Sequence, residues 1–168
     1  STQSRSSAAS DVYKRQLLPF SDRLKLLELA IENCPDFAFS PIEGEREGNS
    51  YTFDTVRELL RQNPTESYSL LIGTDQFLTL RSWHKIAELG KLVDFYIANR
   101  NGEMAFSTFQ KEKEALEKEF SLHCKLFSMP AIDLSSTEIR NRLKEGKSIH
   151  GMLPKPVEEY ILKKGFYR

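Results

Sequence analysis

The chain has 168 residues, of which 39% are hydrophobic and 29% are charged, the composition of one globular domain with a sizeable core. Lysine plus arginine and aspartate plus glutamate each number 24, so the formal net charge is zero and no overall field attracts nucleic acid. No apolar run approaches the ~20 residues of a membrane span, and we therefore expect neither nucleic acid nor a membrane as a partner.

The first sixteen residues differ in character from the rest of the chain. Residues 1–16 are polar, rich in serine and without periodicity, and they lack the apolar centre of a signal peptide. They resemble translated cloning-linker sequence, and a disordered natural tail is the alternative. We therefore expect residues 1–16 to be a non-native or disordered leader, and residues 17–168 to form the folded domain.

From Leu17 onward, helical and strand-like patterns alternate along the chain. Apolar spacing and stop signals predict helices over residues 21–33, 52–62, 82–89, 106–120 and 136–145, and a last helix that begins at Pro154. Short apolar runs predict strands at 37–39, 68–72, 92–98 and 125–129, and residues 43–49 are expected to form a charged loop. This alternation without hairpin signals predicts an α/β fold in which helices cover both faces of a parallel sheet.

The most informative segment is Leu134–Arg140, which reads L-S-S-T-E-I-R. Ser135 and Glu138 have the S-x-x-E spacing of a capping box, which marks the start of a helix. The first-turn N–H groups and the helix dipole then favour a phosphate in front of that helix. Ser136 and Arg140 are four residues apart and should share one face. The alternative is a well-capped surface helix with a solvated arginine.

A second candidate lies where the predicted strand at 68–72 ends. Gly73 leaves room for a ligand to approach the backbone, and Asp75 follows at the edge of the sheet where parallel α/β proteins bind ligands. A carboxylate there can accept both hydroxyl groups of a ribose. The alternative is that Asp75 caps a turn over residues 76–80 and has no ligand.

Three further positions follow predicted strands or begin a helix. Trp83, the only tryptophan, can stack on a flat heterocycle or simply cover the core. Thr52, in the Ser50–Thr52 segment, begins a helix and can face a carboxylate or a phosphate, or serve as part of a cap. Arg100 follows a strand and can reach a phosphate or only a surface carboxylate.

Metal ligation and covalent catalysis find no support in the sequence. The three histidines and the widely separated Cys34 and Cys124 have no metal-ligand spacing, so we expect no protein-bound metal site and two free thiols in a cytoplasmic protein. A nucleophile elbow, a Walker A loop and a G-x-G-x-x-G motif are also absent.

Taken in order, four of these elements resemble the nicotinate-nucleotide adenylyltransferase family: Ser50–Thr52, Ile72–Asp75, Trp83 and Leu134–Arg140. The resemblance extends from about Leu18 to the C-terminus. It implies a Rossmann-like nucleotidyltransferase fold that joins ATP to nicotinate mononucleotide and releases pyrophosphate. It also implies Mg²⁺ on the departing phosphates and no protein nucleophile. Whether the protein forms a homo-oligomer is left open.

The resemblance also implies a role for each candidate residue. ATP phosphates would be held by Ser136, Thr137 and Arg140, with Arg140 as the catalytic residue. Gly73 and Asp75 would line the nucleotide site near the adenosine ribose. Nicotinate mononucleotide would be bound by Thr52, Trp83 and Arg100.

The chain departs from the family in one respect. Family members begin with a strand and a turn that carries H-x-G-H, and this motif does not occur in the chain. We therefore expect the first strand and that turn to be missing and catalysis to be impaired. Two other functions are alternatives: another adenylyl- or cytidylyltransferase, such as the pantetheine-phosphate enzyme, and a non-catalytic nucleotide-binding module.

Overall fold

The computed structural model describes residues 18–46, 48–100, 102–130 and 132–168. The predicted leader, residues 1–16, lies outside this part of the chain. The described residues divide into two compact units. The first unit combines the residues up to Gly44 with Leu134–Arg168, and the second unit is Glu45–Asp133.

Helices and strands alternate in the second unit, whereas the described residues of the first unit form helices and no strand. The helices are α1 (Phe20–Ile31), α2 (Ile42–Glu45), α3 (Thr52–Gln62), α4 (Thr74–Leu78), α5 (Ile86–Leu89), α6 (Phe106–Phe120), α7 (Ser136–Lys144) and α8 (Lys155–Lys164), with a 3₁₀ turn at Leu80–Ser82. The strands are β1 (Tyr68–Gly73), β2 (Val93–Arg100) and β3 (Cys124–Met129). Three of the four predicted strands and most of the predicted helices are therefore present.

The second unit is built around a parallel sheet with the strand order β1-β2-β3. In the register of the sheet, Gly73 of β1 lies opposite Ala98 of β2, and Arg100 of β2 lies opposite Met129 of β3. The carboxyl ends of all three strands therefore meet at one edge. The predicted α/β fold with a parallel sheet flanked by helices is confirmed.

The core of the second unit is formed between the central strand and the helices. Phe95 and Ile97 of β2 are fully buried, as are Phe77 of α4 and Leu116 of α6. The rings of Phe77 and Phe109 pack with their centroids 5.2 Å apart. Each such buried side chain contributes about 1.5–3 kcal/mol, so this cluster fixes the two helices on the sheet.

The first unit brings together segments from the two ends of the described chain. Ile139 and Leu143 of α7 form its core with Val157 and Ile161 of α8, and Leu26 and Leu29 of α1 pack against them. The Tyr160 hydroxyl donates a hydrogen bond to Oδ1 of Asp22 over 3.0 Å and so joins α8 to α1. Gly146 follows α7 with a φ of +67°, the left-handed conformation that ends many helices.

The predicted strand at 37–39 is wrong. Phe37 is 68% exposed and its N–H bonds to the carbonyl of Cys34, so the segment continues a turn that begins before Pro35. Without a buried face or a neighbouring strand among the described residues, alternating phenylalanines do not form a strand.

The predicted helix at 82–89 is also interrupted. Lys85 has a φ of +52°, and α5 begins only at Ile86 after the separate 3₁₀ turn. The predicted loop at 43–49 starts within the short helix α2. Asp75 is not a cap, because Gly73 occupies that position and Asp75 lies inside α4.

Candidate functional site

The start of α7 has the geometry that the sequence predicts. Ser135 Oγ accepts a hydrogen bond from the Glu138 N–H over 3.1 Å, so the helix is capped by its own serine. Arg140 Nη2 donates to Ser136 Oγ over 2.6 Å, and its Nε donates to the Ser136 carbonyl over 2.9 Å. Thr137 is exposed in the same turn. Two hydroxyls and a guanidinium therefore lie at the positive end of a helix dipole, where anions are favoured.

The other predicted residues lie in the second unit. Gly73 ends β1 and Asp75 follows it in α4. A side chain added at Gly73 would meet no atom within 4 Å, so packing within the protein does not require a glycine there. This position leaves the backbone open to a ligand.

Asp75 lines a cavity of about 350 Å³ beside the carboxyl end of β1. The described residues that line it are Thr74, Asp75, Leu78, Glu103, Met104, Ala105 and Thr108. The lining thus comes from α4, from the loop after β2 and from the start of α6. Its polar groups are carboxylates and hydroxyls, which accept hydrogen bonds from sugar hydroxyls.

The segments around Thr52 and Trp83 are in contact. The rings of Tyr51 and His84 stack with their centroids 4.3 Å apart, and the Lys85 ammonium lies 4.9 Å from the centroid of the Phe53 ring. Trp83 itself is half-buried and packs against the core. The structure therefore brings the neighbours of Thr52 and Trp83 together, which sequence spacing alone did not indicate.

Arg100 lies at the carboxyl edge of the sheet as the last residue of β2, and it is exposed. Its carbonyl accepts a hydrogen bond from the Glu103 N–H over 2.9 Å. Among the contacts of the described residues, none joins its guanidinium to Thr52 or Trp83. Its predicted role toward nicotinate mononucleotide stays a prediction.

Sequence reasoning missed two residues of the cavity region. Glu103 contributes a second carboxylate to the lining, and Asn99 is buried and bonded to the loop that carries Glu103. A signal for Asn99 was present, since an asparagine near the end of an otherwise apolar strand must find hydrogen-bond partners when it is buried. Glu103 carried no comparable signal.

The described residues contain no group of three or more histidine, cysteine, aspartate or glutamate side chains that could hold a metal ion. None of the helices in the described part of the chain is both long and apolar enough to cross a membrane.

A parallel sheet with polar residues at its carboxyl edge is the layout of nucleotide-binding α/β proteins. The family model described as "Cytidylyltransferase-like" matches residues 4–142. Sequence comparison gives a more particular result. A protein of Exiguobacterium sibiricum named "Probable nicotinate-nucleotide adenylyltransferase" is 37% identical over 83% of this chain and 68% of its own length. One of the same name from Lachnoclostridium phytofermentans is 35% identical over 90% of this chain and 76% of its own length.

The fold comparison agrees with the sequence comparison. Nicotinic acid mononucleotide adenylyltransferase of Plasmodium falciparum, in a complex with APC, superposes with a TM-score of 0.66 at 19% identity, covering 90% of this chain and 77% of that chain. The chain therefore belongs to the cytidylyltransferase-like family of nucleotidyltransferases, and within it to the nicotinate-nucleotide adenylyltransferases. Members of this family generally use a divalent metal with their nucleotide substrates.

Proposed function

We propose that the chain transfers the adenylyl group of ATP to nicotinate mononucleotide, giving nicotinate adenine dinucleotide and pyrophosphate, a step of NAD biosynthesis. The observation that carries this proposal is the identity of 35–37% with two bacterial relatives named for this activity. The Plasmodium falciparum relative in the fold comparison has also been solved in a complex with NaAD.

In this reaction a phosphate oxygen of nicotinate mononucleotide attacks the α-phosphorus of ATP. The bond between that phosphorus and the oxygen bridging to the β-phosphate breaks, and pyrophosphate leaves with the electron pair. No protein nucleophile is needed, so the protein contributes alignment of the substrates and stabilisation of phosphoryl charge. When bound with ATP, Mg²⁺ would neutralise charge on the departing phosphates, and the groups of this chain proposed to act beside it are Ser136, Thr137 and Arg140.

The geometry at the start of α7 supports a role in binding the ATP phosphates. Arg140 is already bonded to Ser136, so its guanidinium is held in place before a ligand arrives. A guanidinium has five N–H donors, and the two bonds to Ser136 leave others for phosphate oxygens. We assign Ser136, Thr137 and Arg140 to the ATP phosphates, with Arg140 as the catalytic residue.

The second unit supports the assignments of Gly73, Asp75, Thr52 and Trp83. Gly73 and Asp75 are assigned to the nucleoside part of ATP, because the cavity beside them presents acceptors for hydroxyl groups. Thr52 and Trp83 are assigned to nicotinate mononucleotide, because the contact of Tyr51 with His84 holds their two segments together. Arg100 is assigned to the same substrate from the resemblance alone. Homo-oligomer formation and a cytoplasmic location also stay predictions.

The test is to incubate the purified chain with ATP, Mg²⁺ and either nicotinate mononucleotide or phosphopantetheine. We expect pyrophosphate and nicotinate adenine dinucleotide with the first acceptor, and no pyrophosphate with the second. Turnover with phosphopantetheine alone would assign the chain to a different adenylyltransferase. The rate also tests the predicted loss of activity, which a rate equal to that of a relative containing H-x-G-H would contradict.

Binding is measured separately from turnover. Trp83 is the only tryptophan, so its fluorescence reports directly on the proposed nicotinate pocket. We expect nicotinate mononucleotide to quench this fluorescence in a saturable manner. A chain that binds neither ATP nor nicotinate mononucleotide would contradict the proposed function.

A further inference from the structure

Asn99 fixes the path of the loop that follows β2. Its side chain is only 4% exposed. Nδ2 donates to the Met104 carbonyl over 2.8 Å, and Oδ1 accepts from the Met104 N–H over 2.9 Å. Both partners are backbone atoms, so the two bonds fix the chain at position 104 whatever side chain stands there.

The loop between these residues folds back on itself. The Glu103 N–H donates to the Arg100 carbonyl over 2.9 Å, and Gly102 has a φ of +71°, which disfavours other residues. The Met104 side chain is buried in the core and anchors the far end of the loop. Asn101 lies outside the described residues.

This loop forms part of the cavity beside Asp75. Glu103, Met104 and Ala105 line it next to residues of α4 and α6. Because β1 and β2 are neighbours with Gly73 opposite Ala98, the residues that follow them are adjacent at the carboxyl edge of the sheet. Loss of the Asn99 bonds would therefore loosen the backbone of the loop at Met104, although the Met104 side chain remains in the core, and would leave the α4 and α6 parts of the lining in place.

The chemistry of the lining indicates which part of a nucleotide fits there. Asp75 and Glu103 supply carboxylates, and Thr74 and Thr108 supply hydroxyls. No lysine or arginine occurs among the described lining residues. Carboxylates repel phosphate and accept hydrogen bonds from hydroxyl groups, so the cavity suits a ribose better than a phosphate.

We propose that Asn99 is a positioning residue that holds the 102–105 loop as one part of a cavity for the ribose hydroxyls of ATP. Asn99 itself does not touch the nucleotide and acts through Glu103. The identity of the nucleotide rests on the proposed function. The role of Asn99 rests on its two bonds to Met104 and on the cavity lining.

The experiment compares Asn99→Leu with the unaltered chain in calorimetric titrations with ATP, 2′-deoxy-ATP and nicotinate mononucleotide. Leucine keeps the branching at Cγ but is larger and makes neither hydrogen bond. We expect the dissociation constant for ATP to rise about tenfold, because two buried hydrogen bonds that order the loop are lost. The constant for nicotinate mononucleotide should change less than twofold, and the preference for ATP over 2′-deoxy-ATP should disappear. Asn63→Leu, an exposed asparagine at the end of α3, is the matched control.

Equal loss of affinity for ATP and nicotinate mononucleotide, or a lower melting temperature with unchanged affinities, would assign Asn99 a structural role and overturn the proposal. If Asn99→Leu does not fold, the same titrations are made with Glu103→Ala. Its control is Glu114→Ala, because Glu114 is exposed. Glu103→Ala should weaken ATP binding and reduce the preference for the 2′-hydroxyl. Unchanged ATP binding in Glu103→Ala would overturn the proposal. An unaltered chain that binds neither substrate would contradict the proposed function instead.

Discussion

Arg140 donates two hydrogen bonds to Ser136, one to its hydroxyl and one to its carbonyl, across one turn of α7. This pairing holds a long, flexible side chain in one orientation before any ligand binds. Less conformational entropy is then lost when a phosphate binds. The same pairing predicts that lysine will be a poor substitute, because an ammonium lacks the planar, multiple-donor geometry of a guanidinium.

Arg140→Ala should weaken ATP binding by about tenfold or more, since hydrogen bonds to charged groups contribute ~1.5–3 kcal/mol. Arg140→Lys should recover only part of this loss. The dissociation constant for ATP is measured by calorimetric titration. Lys144→Ala removes the same charge from the end of the same helix and should leave ATP binding within twofold. Equal effects of Arg140→Ala and Lys144→Ala would mean that charge alone matters.

Ser135→Ala should lower the free energy of unfolding by about 1 kcal/mol, because the Glu138 N–H loses its capping acceptor. Ser135→Asp should retain most of the stability, since a carboxylate also caps a helix and interacts favourably with its dipole. Urea denaturation followed by circular dichroism gives both values. A Ser135→Ala variant as stable as the unaltered chain would show that the cap contributes nothing.

Gly73→Ala should weaken nucleotide binding with little change in melting temperature. The added methyl group meets no protein atom within 4 Å, so any effect arises from the ligand and not from the fold. Titration with ATP and thermal denaturation separate the two effects. Unchanged ATP affinity in a folded Gly73→Ala variant would remove Gly73 from the site.

Gly90→Ala is the matched comparison for Gly73→Ala. We expect it to lower the melting temperature and to leave nucleotide binding unchanged. A side chain at Gly90 would lie 2.1 Å from Cδ2 of Leu122, which is fully buried. Crowding of a packed core typically costs about 1–3 kcal/mol, so the melting temperature should fall. Nucleotide affinity measured well below the new melting temperature should be unchanged.

The two cysteines should react at different rates. Cys34 is exposed, whereas burial raises the pKa of the Cys124 thiol from 9.0 to about 11. An aromatic disulfide reagent at pH 8 should therefore modify one thiol rapidly and the second only after denaturation. Cys34→Ser should abolish the rapid phase. Two rapid phases would contradict the burial of Cys124.

The same pKa shift predicts how stability depends on pH. The folded state favours the neutral thiol, so this contribution to stability is complete below pH 9 and is lost as the pH rises through about 11. Urea midpoints measured between pH 8 and pH 11 should fall less in Cys124→Ala than in the unaltered chain. Parallel curves for the two proteins would contradict this assignment.

Tyr51→Ala should weaken binding of nicotinate mononucleotide, because the stacked pair of Tyr51 and His84 is lost and the segment that carries Trp83 is less well held. Stacked aromatic pairs contribute about 0.5–1.5 kcal/mol, so we expect a two- to tenfold effect. Tyr51→Phe should bind normally, since it keeps the ring. Quenching of Trp83 fluorescence gives the affinities, and a normal value for Tyr51→Ala would exclude this role for the stack.

Local signals in the sequence were sufficient for the elements that depend on neighbours in the chain. The helix at Phe106–Phe120 and the cap at Ser135 follow from spacing within one or two turns, and both are confirmed. The strand predicted at Phe37–Phe39 failed, because a strand requires a partner and a buried face that three residues do not specify. The left-handed conformation of Lys85 likewise has no local signal, since lysine has no special preference for a positive φ.

In the candidate site too, local positions were predictable from the sequence and tertiary contacts were not. The place of Asp75 after a strand and of Ser136 at a helix start can be found by pattern, while their roles stay predictions. Glu103 could not be found in this way, because its place in the cavity depends on a turn held by Asn99 and on the neighbouring strand. Interactions of this kind are set by tertiary contacts, which one sequence does not reveal.

The hydrogen bond between Asp22 and Tyr160 joins residues 138 positions apart in the chain. During synthesis, α1 is made well before α7 and α8, the helices against which it packs. Its apolar residues therefore remain exposed to solvent while the second unit is translated. Closing a loop of this length also slows folding. Premature release of the nascent chain before α7 would leave α1 without the helices against which it packs, and such fragments are expected to become substrates for chaperones and proteases.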